Sequence, residues 1–400
     1  MTPDRFRTLD DVDPGGRRVL VRVDFNVPVE EGGISDDTRL RASLGTIQEL
    51  RSRSARVVLM SHFGRPRGQA EAALSLGFLT GPLSELIGAP VAFARDCIGQ
   101  AAMEAQRAMG NGDVLLLENL RFHPGEEAND PEFARELAIL GDLYVDDAFS
   151  TAHRAHASTE GVARILPACA GRAMQTELEH LERALGSPER PVMGIVGGAK
   201  VSTKLDLLDN LVGKLQRLAI GGGMANTFLY AQGRKVGASL CEKDLSQTAL
   251  KILEDAEARG CEIILPSDVV VARQMKSYAP NRTVELDAIA EDESIFDIGP
   301  RSLQRVLQAI SASRTLVWNG PLGVFEVPPF DKGTVAAARQ AARLCKAGRL
   351  VAVGGGGDTV AALNLAGAAQ DFTYVSTAGG AFLEWMEGKS LPGVAALEDQ

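Results

Sequence analysis

Short apolar runs recur along the chain, and most stop abruptly at a polar residue or a glycine. Residues 18–23 (RVLVRV) lead into Asp24, and residues 56–60 (RVVLM) into Ser61-His62. Residues 114–117 lead into Glu118-Asn119, and 143–145 into Asp146-Asp147. The pattern returns at 192–196 before Gly197-Gly198, at 218–220 before Gly221 to Gly223, and at 263–265 before Pro266-Ser267-Asp268. It closes with 315–318 before Asn319-Gly320 and 350–353 before Gly354 to Gly357. Between many of these lie amphipathic stretches of helical period, such as 130–140, 173–185 and 335–346. Strands alternating with helices predict parallel sheets. The runs are nearly uninterrupted in apolar character, as strands covered on both faces should be. In open parallel sheets ligands bind beyond the carboxyl ends of the strands. That is where the polar and glycine residues collect here.

Length and charge narrow the picture. A chain of 400 residues exceeds one ordinary core and predicts more than one domain. The formal net charge is −10 and the sequence pI about 5.2, which argues against a generic nucleic-acid binder. An anionic ligand then needs local positive clusters. No apolar run approaches the roughly 18 residues of a membrane span, and the opening MTPDRFRTLDDVD has no apolar signal stretch. The five cysteines form no CxxC pair, so reduced thiols and a cytoplasmic location are expected.

The two halves carry different equipment. Residues 1–172 hold four of the five histidines and a set of arginines at strand ends and in loops: Arg39, His62, Arg65, Arg121, His153, Arg154 and His156. Guanidinium forks suit carboxylate and phosphate, so these could line a pocket for a small anion of several charges. Each could equally be an ordinary surface arginine. In VRVDFNVP, alternation puts Val19, Val21, Val23, Phe25 and Val27 on one face and Arg22, Asp24 and Asn26 on the other. Asp24 can accept from a substrate hydroxyl or cap a turn.

Residues 188–372 hold the glycine clusters. GGAKVSTK at 197–204 follows a strand and is expected to open a helix, with Lys200 and Lys204 four apart on one face. Gly354 to Gly357 with Asp358-Thr359 reads as a second phosphate-cradling helix start, Asp358 being a hard oxygen donor suited to Mg2+. It lacks the GxGxxG fingerprint, which argues against a nicotinamide-dependent dehydrogenase. No GxSxG, HExxH or protein-kinase motif set occurs. Phosphoryl transfer onto a carboxylate needs no general base; it needs positioning and positive charge.

The ordered motifs RVDFNVP, SHFGRP, ENLRFHPGEE, DDAFSTAHRAHAS, GGAKVSTK, GGGMANTF, LPSDVVVA, WNGPLGVFE, GGGDT and EGKSLPGV resemble phosphoglycerate kinase over essentially the whole length. The resemblance implies two doubly wound, Rossmann-like α/β domains facing each other across a cleft. It places a 3-phosphoglycerate-binding domain at 1–172, a connecting helix at 173–187, a nucleotide-binding domain at 188–372, and a C-terminal segment, 373–400, returning to the first domain. Asp24, Phe25, Asn26, Arg39, His62, Phe63, Gly64, Arg65, Arg121 and Arg154 would bind 3-phosphoglycerate. Arg39, Lys200 and Lys204 would be catalytic. Lys204, Gly222, Gly223, Glu326, Gly356, Gly357, Asp358 and Thr359 would hold ATP or ADP, with Asp358 on Mg2+. His153 and His156 would support the basic patch. A cytoplasmic, hinge-bending monomer is implied, with no nucleic-acid or membrane partner. Ala378, Phe382, Trp385 and Asn226 depart from the family pattern near the nucleotide. A non-catalytic two-lobed small-anion-binding protein is the alternative. It would need no second, glycine-rich phosphate site.

Overall fold

The computed structural model describes residues 6–398. Residues 1–5, where the first expected domain and the opening stretch begin, and residues 399–400 at the end of the returning segment lie outside the described residues. The chain divides into two compact units. One runs to Glu179 and takes up the chain again from Ser390; the other is His180–Lys389.

The N-terminal unit is built on a parallel sheet. Its strands are β1 (Arg18–Arg22), β2 (Arg56–Met60), β3 (Val91–Phe93), β4 (Val114–Leu116), β5 (Leu143–Asp146) and β6 (Ala168–Ala170). The spatial order is β3-β4-β2-β1-β5-β6, every pair parallel. From β1 the chain crosses one way to β2 and later the other way to β5, so the strand order reverses between β1 and β5. Val19, Val21, Val23, Phe25 and Val27 share one core cluster with Val57, Leu59, Val114 and Val145. Helix Pro131–Ala138 shows why the connections fold. Asp130 caps it by accepting from the amides of Glu132 and Phe133, both at 2.9 Å. Pro131 takes the first position, and Phe133, Ala134, Leu137 and Ala138 face inward. Such a cap stabilises by about 1 kcal/mol.

Helix α1 (Thr38–Ala42) follows a short two-stranded ribbon at Val29–Glu30 and Gly33–Ile34. Helix α2 (Arg172–Leu181) begins in this unit, where Asp147 accepts from the amides of Ala173 and Met174 at 2.8 and 3.3 Å. The tail belongs to this unit too. Its last helix, at Pro392–Glu398, buries Val394, Ala396 and Leu397, and the Gly393 amide donates to Ala152 O at 2.9 Å.

The C-terminal unit repeats the plan with β7 (Val192–Val196), β8 (Arg217–Ile220), β9 (Glu262–Ile264), β13 (Thr315–Asn319), β14 (Val351–Gly355) and β15 (Tyr374–Ser376), ordered β9-β8-β7-β13-β14-β15 and all parallel. Here the order reverses between β7 and β13. A separate antiparallel sheet, β11-β10-β12, comprises β10 (Asp268–Ala272), β11 (Asn281–Glu285) and β12 (Ser294–Ile298). The helices that matter below are α3 (Leu205–Val212), α4 (Gly222–Ala231), α5 (Lys332–Lys346), α6 (Gly357–Leu365) and α7 (Gly380–Met386). Helix α5 packs through Ala337, Ala338, Ala341 and Ala342, whose small side chains let it lie close against its neighbours. Strand β15 closes this sheet, and Lys389, just past α7, pairs with Asp206 at 2.9 Å and Glu387 at 2.8 Å.

The strand runs read from the sequence appear within a residue or two of their expected bounds. The antiparallel sheet was not expected. Its strand β11 is mostly exposed and polar, so it lacks the apolar run of a doubly covered strand. All five cysteines are free, and no helix among the described residues is long and apolar enough to cross a membrane.

Candidate functional sites in the two units

In the N-terminal unit the site grows from the point where the strand order reverses. Past β1, Ser61 clamps the chain: its hydroxyl donates to Val23 O at 2.8 Å and accepts from the Phe25 amide at 2.8 Å. This sends the Phe25 ring into the core, fully buried, so only its backbone is available to a ligand. Asp24 and Asn26 are left half-buried beyond the strand end. Asp24 Oδ2 accepts from Arg39 Nη1 at 2.8 Å and Ser150 Oγ at 2.6 Å, and Arg39 Nη1 also reaches Asn26 O at 3.1 Å. Asn26 Oδ1 accepts from the Gly64 amide at 2.9 Å. Gly64 O in turn accepts from Arg121 Nη1 at 2.9 Å. Gly64 has φ of 62°, and a Cβ there would meet Leu74 Cδ2 at 2.8 Å, so glycine is favoured at this turn. Phe63 packs its ring on Phe78 at 5.2 Å. Arg65 and Arg154 are exposed, and Arg154 Nε lies 3.2 Å from His153 Nε2.

Arg22 was not among the expected site residues, yet it organises the floor. It is fully buried, although alternation put it on the polar face. Its Nε donates to Ser158 Oγ at 2.9 Å and its Nη2 lies 3.1 Å from His62 Nδ1. Because a guanidinium can only donate, Nδ1 accepts and the His62 proton sits on Nε2. Burial, then the charges of Arg22, Arg121 and Arg39, push the His62 pKa well below the ordinary value. Burial, then Arg22 and Arg121, hold His156 at about 4. His156 Nδ1 is 3.8 Å from Glu126 Oε1, and with the imidazole neutral this contact is not an ion pair. Burial raises the fully buried Glu126 carboxyl, which accepts from the Ser158 amide at 2.9 Å and the Ser158 hydroxyl at 2.6 Å. Arg121 forms an ion pair with Glu127 at 3.2 Å without hydrogen-bond geometry. Burial and the neighbouring Arg22 and Arg154 charges lower its pKa despite that partner. These groups feel one another as a single field of positive charge, which an incoming anion would relieve.

In the C-terminal unit the strand-order reversal lies between β7 and β13, and Lys204 occupies it. Its Nζ donates to Gly197 O at 2.6 Å, Asn319 O at 3.2 Å and Asn319 Oδ1 at 2.5 Å. Asn319 Nδ2 donates to Gly355 O at 2.9 Å, which fixes the amide with its oxygen toward the lysine. Burial pulls the Lys204 pKa down to about 8, partly opposed by the charge of Asp358. Backbones cross here at very short range: a Cβ on Gly197 would lie 1.7 Å from Pro321 O. Lys204 opens onto a cavity of about 260 Å3 lined by Gly320, Gly356, Gly357, Asp358, Thr359 and the start of α7 at Gly379-Gly380. Helix α6 begins at this cavity, so the amides of Gly357, Asp358 and Thr359 have no intrahelical acceptor. The Thr359 hydroxyl is committed, accepting from the Gly320 amide at 2.7 Å.

The expected lysine pair on one helix face does not form. Lys200 is extended, residues Val201–Thr203 make a 3-10 turn, and α3 begins only at Leu205. The β-branched Val201 and Thr203 and the hydroxyl of Ser202 favour helix poorly. Lys204 is drawn inward by its oxygen acceptors, while Lys200 stays exposed. Gly222 and Gly223 open α4 tightly against residues 198–199, where a Cβ would meet Gly198 O at 2.7 Å and Ala199 O at 2.5 Å. Glu326 is exposed in the loop after β13. Among the family departures, Asn226 is buried and donates to Leu240 O at 3.1 Å. Phe382 is buried directly beneath Gly355. Asn319 and Gly379-Gly380 were not expected in the site; their signal is their place at or just beyond strand ends.

Basic side chains beyond the strand ends of one parallel-sheet unit, and a lysine beside a helix start in the other, are the kind of arrangement an α/β phosphotransferase uses. The family model described as phosphoglycerate kinase matches residues 9–389. A phosphoglycerate kinase of Caulobacter vibrioides (strain NA1000 / CB15N) is 63% identical over 393 residues, covering 98% of this chain and 99% of the relative. One from Methylorubrum populi (strain ATCC BAA-705 / NCIMB 13946 / BJ001) is 61% identical over 393 residues, 98% of each chain. The solved structure of phosphoglycerate kinase from Coxiella burnetii matches with a TM-score of 0.93 at 41% identity, covering 98% of this chain and 99% of that one. The crystal structure of the Pyrococcus horikoshii OT3 enzyme matches at 0.79 and 32% identity, over 98% of both chains. The chain belongs to the phosphoglycerate kinase family, and its activity is phosphoryl transfer with a carboxyl group as acceptor.

Proposed function

We propose that the N-terminal unit binds 3-phosphoglycerate and the C-terminal unit binds ATP or ADP with Mg2+. Arg39, Arg65, Arg121 and Arg154 supply charge for the substrate's carboxylate and phosphate. Asp24 and Asn26 orient its hydroxyl, and the His62 Nε2 proton donates a hydrogen bond. Phe25, Phe63 and Gly64 contribute backbone. Lys204, Gly356, Gly357, Asp358 and Thr359 take the nucleotide phosphates, with Gly222, Gly223 and Glu326 toward its base and ribose. Lys200, exposed in the same loop, is the further catalytic candidate beside Arg39 and Lys204.

Mg2+ fits this donor set: Asp358 is an exposed carboxylate at the cavity of about 260 Å3, and such ions bind through one or two carboxylates plus substrate phosphates. When bound, the ion would neutralise charge on the phosphates. The protein's own part is positional. Arg39 and Lys204 bring fixed positive charge to the phosphoryl oxygens, and the acceptor carboxylate attacks already ionised. No histidine needs to move a proton, in keeping with the neutral His62 and His156. The observation that carries the reading is the buried Lys204 ammonium beside the free amides of α6. We further propose a monomer acting in the cytoplasm.

Calorimetry tests the division. Arg65→Ala with Arg154→Ala should weaken 3-phosphoglycerate binding and leave ATP binding within about twofold. Lys204→Met should do the reverse. Loss of both ligands in either variant would overturn the assignment.

A further inference from the structure

We propose that Asp96, Cys97 and His123 form a binding site for one divalent cation of the zinc class, separate from the Mg2+ site. Asp96 and Cys97 follow β3 and His123 follows β4, neighbouring parallel strands whose turns leave the sheet at the same end. One donor atom from each residue lies within 4.8 Å of the other two. His123 Nε2 is 2.7 Å from Asp96 Oδ1, and the Cys97 amide donates to the same oxygen at 2.7 Å. The Cys97 side chain is fully buried, while Asp96 and His123 are 43% and 28% exposed. The thiol is thus a floor beneath a solvent-facing imidazole and carboxylate. The imidazole is held by stacking on Phe133 at 5.2 Å and by its place ahead of helix Pro124–Glu127.

A plain surface ion pair would explain Asp96 and His123 alone. It gives no role to the thiol beneath them. Sulfur, nitrogen and oxygen together are the donor mixture of zinc, whereas Mg2+ takes oxygen. Bond lengths of about 2.0–2.3 Å in a tetrahedron put ligands roughly 3.3–3.6 Å apart. The donor atoms, now within 4.8 Å of one another, would close toward that spacing on binding. Binding replaces the Cys97 S–H bond with a metal–thiolate bond and releases that proton to solvent. The His123 Nε2 proton, now shared with Asp96 Oδ1, is given up to solvent and Nδ1 carries the remaining one, which frees Nε2 for the metal; a water completes the fourth position.

The test uses Cd2+ as probe on the full chain, with Mg2+ in excess to occupy oxygen sites. One equivalent should give a cadmium–thiolate charge-transfer absorption that Zn2+ displaces. Cys97→Ser should abolish the absorption. His123→Gln should weaken binding at least about tenfold, since even outer partners of metal ligands are worth 10–100-fold. Circular dichroism checks folding; if Cys97→Ser does not fold, Cys97→Ala and the surface change His123→Gln decide. No absorption in the wild type, an unchanged one in the cysteine variant, or unchanged affinity in His123→Gln each overturns the proposal. An absorption kept in the cysteine variant would assign the metal to Cys169, Cys241, Cys261 or Cys345.

Discussion

Replacing Lys204 with methionine separates catalysis from folding. The ammonium is enclosed by three oxygens at 2.5–3.2 Å, and burial holds its pKa at about 8 against 10.5. Relieving that burial is worth about 3 kcal/mol at neutral pH, at about 1.4 kcal/mol per pKa unit. Three lost hydrogen bonds at about 1 kcal/mol each oppose it. The net change in stability is therefore near zero, and the variant should melt close to the wild type. Turnover should not survive. A unit charge about 4 Å from the phosphoryl oxygens at an effective dielectric near 20 contributes about 4 kcal/mol, or about 10³-fold in rate. The assay is coupled ADP formation with saturating 3-phosphoglycerate, ATP and Mg2+, beside a thermal melt. The pH dependence has a fixed sign. Between about 8 and 10.5 the unfolded chain binds the proton that folded Lys204 has lost. Wild-type stability therefore gains with pH in that window, and Lys204→Met lacks the gain. ATP affinity of the wild type should weaken as pH rises past about 8. Turnover within about tenfold of wild type in a folded variant would refute the role.

Other outcomes follow from the same geometry. Arg39→Ala should leave the fold intact and cut turnover by about 10²- to 10⁵-fold; a rate within threefold of wild type would remove Arg39 from the chemistry. Asp358→Asn keeps shape but loses charge, so the Mg2+ titration of activity should move to higher concentration, and an unchanged curve would place the ion elsewhere. His156 is held at about 4, below its unfolded value of 6.5. The unfolded chain therefore binds more protons between these values, and stability should fall as pH drops from 6.5 to 4. His156→Gln should flatten that limb in denaturant melts, and an equally steep limb would show that other groups carry it.

Much of this protein was legible as periodicity. Doubly covered strands must be apolar throughout, so β1, β2, β7 and β13 announce themselves, and the residues after them mark where ligands can bind. Asp24, His62 and Asp358, just past β1, β2 and β14, stood out as candidates by that position. The exposed strand β11 and the short β3 and β6 carried no such signal, because β11 is polar and mostly exposed and the other two are only three residues long. Side-chain direction was likewise decided in three dimensions. Alternation assigned Arg22 to a polar face, but the reversal of strand order between β1 and β5 brings Ser158 and His62 over it and turns it into a buried floor. Spacing paired Lys200 with Lys204 on a helix that does not begin until Leu205. What separates them is the parallel pairing of β7 and β13, at whose carboxyl ends carbonyls of Gly197 and Asn319 converge on one ammonium and leave the other in water. Local sequence sets which segments become strands and helices; which polar atoms meet depends on how the sheet brings separate segments together, as with Arg22 and Ser158, 136 positions apart, and Lys204 and Asn319, 115 apart.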